Sequence, residues 1–155
     1  MEYTDIISLA DAKNYLRIDD TVSEDDRAIS QMINASFRFI ENWTNHILEQ
    51  RDKTYSLEND FVSVYDYPIQ EIVSPVTAVE TKKPLYSNFE VLNGESELIL
   101  TVGYNDSVEV PDDLIQVAYE ILDIYYYGSK DGQSVGKKLS ALSVDTLNYY
   151  KRFIL

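Results

Sequence analysis

The sequence predicts an α+β fold, in which a helical bundle carries an antiparallel β-rich excursion and ends in an extended C-terminal tail. Apolar residues recur at helical spacing in segments 24–44 and 111–127, which predicts two long helices. Between them, from 47 to 108, short alternating segments are separated by proline and asparagine, which is typical of antiparallel strands. With 155 residues and 45% apolar content, the chain can bury one core.

Composition excludes several kinds of function. The formal net charge of -14 disfavours tight binding to nucleic acid or anionic lipid, because both require a cationic surface. The absence of cysteine excludes disulfides, thiolate metal sites and thiol catalysis, and fits a reducing compartment. The lack of a long apolar run or a secretory signal predicts a protein made in the cytosol, without membrane contact.

His46 is the only histidine, which excludes a histidine-based triad and a multi-histidine metal site. It follows Asn45 near the predicted end of a long helix, where a structural role is expected. No nucleophile and base, and no metal cluster, can be assembled from the remaining residue types. We therefore expect neither an enzyme nor a cofactor.

The first predicted helix lies near 9–17 and is the first half of a helical hairpin. Ser8 precedes it as a helix cap, with Asp11 three residues later. An acidic turn beginning at Asp19 then leads into the long helix near 24–44.

The long helix is predicted to begin with Ser23 as its N-cap and acids in its first turn. Its apolar residues cover more than half of the circumference, whereas an ordinary surface helix needs a stripe only about 100° wide. Two interpretations remain open: a central helix of one core, or a helix that also faces another subunit. The residues assigned to bundle or subunit packing are Ile29, Ile33, Phe37, Ile40 and Trp43, with Leu114, Ile121 and Tyr125 of the later helix.

Five strands are predicted within the excursion, at 54–57, 61–65, 76–79, 89–92 and 97–102. Asn93-Gly94 predicts a turn joining the last two. A helix then begins with Pro111 at its first position and runs to 127, and its predicted partner is the long helix.

The chain divides by composition into a domain at 1–127, a flexible linker at 128–138 and a docking tail at 139–155. The apolar, aromatic tail either folds back on the core or docks on a partner. The sequence favours the partner, because the apolar faces of the two main helices are already covered without the tail. Its expected docking residues, on a partner or a neighbouring copy, are Leu139, Leu142, Leu147, Tyr149, Tyr150, Arg152 and Phe153.

Several segments, taken in order, resemble the head-to-tail connector proteins of tailed bacteriophages. They are 9–19, 24–26, 39–44, 67–69, 75–79, 100–104, 110–114, 125–126 and 147–152. Each is a pattern of caps and apolar positions rather than of catalytic residues, so the resemblance rests on their order. The glycine-rich segment at 128–138 departs from the family pattern.

The resemblance implies a non-enzymatic adaptor in the virion neck, assembled in the bacterial cytoplasm. About a dozen copies would form a ring under the portal protein, extend the DNA channel and receive a neck, stopper or tail-completion protein. DNA would pass through without sequence-specific binding. An acidic channel wall would repel DNA rather than grip it, and the candidate lining acids are Asp19, Asp20, Glu24, Asp25 and Asp26.

Two simpler interpretations stand beside these. Helix capping and solubility also account for the five acids. The whole chain is also compatible with a small acidic interaction module that binds one host or phage protein through a tyrosine-rich surface.

Overall fold

The computed structural model describes residues 1–91, 94–128 and 134–152. The chain forms an α+β fold with a helical core and a second core between two small sheets, as the sequence predicts. The helices are α1 (Tyr3–Ile6), α2 (Leu9–Leu16), α3 (Asp26–Thr44), α4 (Asp112–Tyr127), α5 (Val135–Lys138) and α6 (Ala141–Tyr150), with a 3-10 turn at Ser107–Glu109. Within these ranges, no helix combines the length and apolarity that a membrane crossing requires.

The three predicted helices are confirmed as α2, α3 and α4, but their starts differ from the prediction. Ser8 caps α2 as expected, because its hydroxyl accepts a hydrogen bond from the Asp11 amide at 3.1 Å. Ser23 is not the cap of α3, so that prediction is wrong. The helix begins at Asp26, with Asp25 at the N-cap position and no side-chain cap.

Lys13 explains why Ser23 is displaced from the helix start. Its buried ammonium donates to the Val22 carbonyl at 2.8 Å and pairs with the Asp26 carboxylate at 2.5 Å. These two contacts tie the turn before α3 to α2. The turn is therefore fixed by a tertiary contact, which the local sequence pattern does not reveal.

The excursion forms two antiparallel sheets of three strands each. The strands are β1 (Arg51–Ser56), β2 (Phe61–Val64), β3 (Ile69–Ser74), β4 (Val79–Lys82), β5 (Ser87–Glu90) and β6 (Glu97–Val102). One sheet has the order β1-β6-β3 and the other β2-β5-β4. Val64, Phe89 and Leu100 belong to one buried cluster shared by both sheets.

Three details of the predicted excursion need correction. Residues 76–79 were expected to form a strand, but Val76 to Ala78 lie in a turn in which the Ala78 amide donates to the Pro75 carbonyl at 3.0 Å, and β4 starts only at Val79. Strand β3 was not predicted. The strands on either side of Asn93-Gly94 lie in different sheets, so this connection crosses between sheets. Asn93 itself is outside the described residues.

The wide apolar face of α3 is covered largely by its own chain. Helices α1, α2, α4 and α6 all pack against it. Ile33 and Phe37 are buried in the helical core, while Met32 and Trp43 at the edges are partly buried. Intrachain packing thus accounts for the width of the apolar face, which is the simpler of the two interpretations drawn from the sequence.

A buried carboxylate joins the end of α3 to the first strand. Glu41 accepts hydrogen bonds from the Leu48 amide at 2.7 Å and the Arg51 guanidinium at 2.7 Å. Burial alone would lower the pKa of Arg51, but the hydrogen bond and charge of Glu41 outweigh it and raise that pKa. This ion pair fixes the sheets on the bundle.

Gly103 marks the return from β6 to the bundle. Its φ of +107° is a region that side chains disfavour, and a Cβ there would lie 2.7 Å from the Gln50 Cα atom. Its amide also donates to the Pro68 carbonyl at 2.9 Å. The position therefore requires glycine.

Candidate assembly surfaces

The C-terminal segment folds back on the bundle. Helix α6 packs against α3 and α4, and Leu139 and Leu147 are buried in the helical core. The hydroxyl of Ser140 caps α6 by accepting from the Ser143 amide at 3.2 Å. The tail is thus part of the folded bundle in this conformation.

Glu120 of α4 anchors the start of α6. Its carboxylate accepts from the Ser140 amide at 2.5 Å, the Ser140 hydroxyl at 2.9 Å and the Ser143 hydroxyl at 2.5 Å. Burial opposes ionisation, but these hydrogen bonds outweigh it and hold the pKa of Glu120 below its usual value. An anion at the N-terminus of α6 also interacts favourably with the helix dipole.

Arg152 holds the C-terminal end of the segment against the rest of the chain, through a set of contacts that we call the clamp. Its amide donates to the Thr44 carbonyl at 2.9 Å, and its carbonyl accepts from the Asn45 side chain at 2.7 Å. Its guanidinium donates to the Leu85 carbonyl at 2.8 Å and lies 4.6 Å above the centre of the Tyr67 ring. One residue therefore joins the end of α3 to the sheets.

His46 lies in an aromatic cluster beneath this clamp. Its ring meets Tyr67 and Tyr150 edge-on at 5.0 and 5.3 Å, and its Nδ1 atom is 3.1 Å from the Tyr104 hydroxyl. Burial, with a smaller contribution from the charge of Arg152, lowers the pKa of His46 to about 4. The ring is neutral at pH 7 and packs as a structural side chain.

Two further contacts hold α6 in place. Trp43 donates through its indole nitrogen to the Asn148 side chain at 3.1 Å. Tyr150 donates to the Asp113 carboxylate at 3.0 Å, and burial together with this carboxylate raises the pKa of Tyr150 to about 12.

The predicted docking residues therefore have different environments. Leu139 and Leu147 contact the chain's own core, and Tyr150 and Arg152 bond to their own chain. Leu142 and Tyr149 remain outward, with 77% and 82% of their surfaces exposed. Phe153 lies outside the described residues. Since they are seven residues apart, Leu142 and Tyr149 share one exposed face of α6, and docking through this face stays a prediction.

The residues assigned to packing are placed mainly inside the chain. Ile29, Ile33, Phe37, Ile40, Leu114 and Ile121 are buried in the helical core, while Trp43 and Tyr125 are partly buried against it. These contacts belong to the bundle. Contact of Trp43 or Tyr125 with a neighbouring subunit stays a prediction.

The predicted channel acids gather before and at the start of α3. Asp19, Asp20, Glu24 and Asp25 are exposed, whereas Asp26 is partly buried in its pair with Lys13. The Asp25 carboxylate accepts from the Tyr126 hydroxyl at 2.9 Å. Hydrogen bonds from Thr21 hold the pKa of Asp19 below its usual value.

Two features of the surface were not predicted from the sequence. Val76 and Val108 are 85% and 89% exposed and project apolar side chains from turns. A cavity of about 140 Å³ lies beside the clamp, and its cations are Lys82, Lys83 and Arg152. The adjacent lysines in an acidic chain were the one available sign of this cavity.

Across residues 1–91, 94–128 and 134–152, no group of three or more acidic, histidine or cysteine side chains could hold a metal ion.

Comparison with known proteins gives a family match over the first part of the chain. Residues 6–74, somewhat less than half of the sequence, match the family described as "Phage gp6-like head-tail connector protein". No curated protein matches the sequence significantly.

Solved structures of gene transfer agent (GTA) particles share the fold. A chain from the neck of the empty particle, computed with C6 symmetry, superposes with a TM-score of 0.75 and 16% identity, covering 100% of this chain and 94% of that one. For the neck of the native particle, computed with C12 symmetry, the TM-score is 0.73 at 14% identity, with coverages of 100% and 94%. For the virion of the native particle, the TM-score is 0.74 and the identity 16%, covering 97% of this chain and 91% of that one.

The sequence match and the fold point to the same class of protein. The match includes α2, α3 and the first strands, and the fold similarity extends over the full length. The predicted resemblance to the phage head-tail connector family is thus confirmed, and together these findings support a structural connector role in a phage-like particle.

Proposed function

We propose that this protein is the head-to-tail connector of a tailed phage, a prophage or a related particle. Copies would form a ring beneath the portal protein, lengthen the DNA channel and present the attachment surface for the next neck or tail component. The observation that carries this proposal is the coincidence of a connector-family match at residues 6–74 with a neck-protein fold over the whole chain.

Symmetry supports the ring. The similar neck structures were computed with C6 and C12 symmetry, and identical subunits around an axis form closed rings through repeated contacts. The proposed location is the neck of the virion, with assembly in the cytoplasm of the host. A non-enzymatic role is in keeping with a structural family.

The exposed face of α6 is the proposed docking surface for the portal or a neighbouring copy. Leu142 and Tyr149 point outward from a helix that the Glu120 and Arg152 contacts hold in place. An exposed tyrosine on a rigid face suits an interface anchor, and the leucine on the same face adds apolar area that needs little further ordering on binding. The lining of the channel by Asp19, Asp20, Glu24 and Asp25 stays a prediction, and a contact between copies that covers these acids would replace it.

A double variant, Leu142→Asp with Tyr149→Asp, tests docking without removing core residues. We expect normal folding, because both side chains are exposed, and loss of attachment to DNA-filled heads, measured by sedimentation and electron microscopy. The matched control is Val108→Asp, an equally exposed apolar residue elsewhere. Normal tail joining by the double variant would remove this face from the proposal.

A small acidic interaction module remains the second candidate, because Tyr127 and Tyr149 are exposed and the chain carries a net charge of -14. Stoichiometry separates the two. A connector assembles as a multi-copy ring on a particle, whereas the module forms a one-to-one complex with a soluble protein.

A further inference from the structure

The cavity beside the C-terminal clamp carries more positive than negative charge. Lys82, Lys83 and Arg152 line it, and the one carboxylate among its described lining residues is Glu80. Glu80 already has partners, since its carboxylate accepts a hydrogen bond from the Ser87 hydroxyl at 2.7 Å and lies 3.9 Å from the Lys82 ammonium. In a chain of net charge -14, this concentration of cations suits an anionic occupant.

Arg152 is a partly buried cation of this cavity that has contacts with neutral groups of its own chain. It stacks on Tyr67 and donates to the Leu85 carbonyl, but within the described part of the chain no carboxylate forms an ion pair with it. Burial lowers its pKa, because the charged guanidinium loses solvation there. A carboxylate from another molecule would supply the charge-assisted hydrogen bonds that the guanidinium lacks.

A complementary surface exists on the same chain. Asp19, Asp20, Glu24 and Asp25 are exposed in the segment before α3, which we call the acidic loop. Arg17 and Arg27 flank it, and one of its members, Asp25, is held by Tyr126. Four exposed carboxylates within seven residues make this loop a suitable ligand for a cationic pocket.

The acidic loop cannot reach the pocket of its own molecule. It precedes the first residue of α3, whereas the Arg152 amide is bonded to Thr44, the last residue of α3. A helix of 19 residues at about 1.5 Å per residue separates the two by about 28 Å. Only a second molecule can bring a copy of the loop to the pocket.

We propose that the pocket of Lys82, Lys83 and Arg152 receives the acidic loop of a second copy of this chain, so that successive copies join head to tail. This inference rests on the proposed ring, and it names the residues of the subunit contact. Two different surfaces that meet in this way close into a ring when the rotation between copies divides a full turn. Opposite charges would also guide the approach and fix the register.

Cysteine cross-linking tests the contact directly, because the chain contains no native cysteine. The full-length variant Lys83→Cys with Asp20→Cys is oxidised both in solution and on neck-containing particles. We expect a ladder of covalent oligomers. Each single variant can form at most a disulfide-linked dimer and should form none, because a head-to-tail contact does not bring two copies of the same position together. The matched control pairs Lys83→Cys with Val108→Cys, which is 89% exposed.

The outcomes separate the contact from the function. Assembly of the uncross-linked chain is measured independently, by mass and by electron microscopy. If rings form but only the control pair cross-links, or neither pair does, the contact is wrong and the connector function stands. If the chain forms no ring in solution or on particles, the proposed function fails, and this contact fails with it.

Charge exchange provides a second test without oxidation. Lys82→Glu with Lys83→Glu should weaken assembly at least tenfold, and adding Asp19→Lys with Asp20→Lys should restore most of it. Thermal unfolding of each variant checks that the fold is kept. Unchanged assembly of the first variant would show that the lysines do not take part in the contact, and would overturn the proposal.

Discussion

The Glu120 carboxylate accepts a hydrogen bond from the Ser143 hydroxyl at 2.5 Å, and this contact joins α4 to a helix that follows it across the glycine-rich segment. The same carboxylate satisfies the Ser140 amide at the start of α6. The C-terminal segment is thus held by specific polar contacts as well as by apolar burial.

Replacing Glu120 should loosen α6. Glu120→Ala removes an acceptor of three hydrogen bonds, and we expect a loss of about 1–3 kcal/mol in the free energy of unfolding, measured by chemical denaturation. Asp123→Ala, at an exposed carboxylate of the same helix, is the matched control and should change stability by less than about 0.5 kcal/mol. Equal effects of the two variants would contradict the anchoring role.

Gly103 should tolerate substitution poorly. Gly103→Ala places a Cβ 2.7 Å from backbone atoms at a φ of +107°, so it should destabilise the chain by more than about 2 kcal/mol. Gly94→Ala is the control, because Gly94 also has a positive φ, of +74°, but has open space around it. That variant should lose only about 1 kcal/mol. The comparison separates the close contact from the backbone conformation.

Glu41 should contribute more to stability through its ion pair with Arg51 than Glu49 does. Glu41→Gln weakens bonds to Arg51 and leaves a partly buried guanidinium without its charge partner, which should cost about 1–3 kcal/mol. Glu49→Gln affects a carboxylate that is 3.8 Å from Arg51 and partly exposed, so its effect should be near zero. Similar unfolding midpoints for both variants would refute this assignment.

His46 should make stability depend on pH. Its pKa is about 4 in the folded chain against an ordinary value of 6.5, so protonation favours the unfolded state. The stabilisation from neutral His46 is present above pH 6.5 and is lost as the pH falls through 4. Between these values, wild type should lose more stability than His46→Gln, measured by denaturation at each pH. Parallel curves would show that His46 is not the titrating group.

The sequence predicted the parts of the fold that depend on local pattern. Helices α2, α3 and α4 follow from apolar spacing and acidic starts. Strand β3 was missed because irregularities interrupt its register, between Ile69 and Glu71 and between Ile72 and Ser74, so alternation is weak. The turn at Val76 to Ala78 was mistaken for a strand, because Val76 and Thr77 are β-branched residues of the kind that is typical of strands and uncommon in turns.

The candidate surfaces were harder to predict than the fold. An apolar residue such as Leu147 has the same pattern whether it packs on its own core or on a partner, so the tail was assigned to docking as a whole. The clamp on Arg152 depends on Thr44, Tyr67 and Leu85, which are far apart in the sequence. Only the folded chain brings these groups together.

Cryo-electron microscopy of particles that contain this chain tests the central claim most directly. The connector function predicts a closed ring of copies at the portal vertex, with DNA in its lumen and the Leu142 and Tyr149 face of α6 against the portal or a neighbouring copy. Particles whose neck lacks this chain, with the protein recovered instead in a one-to-one soluble complex, would contradict it.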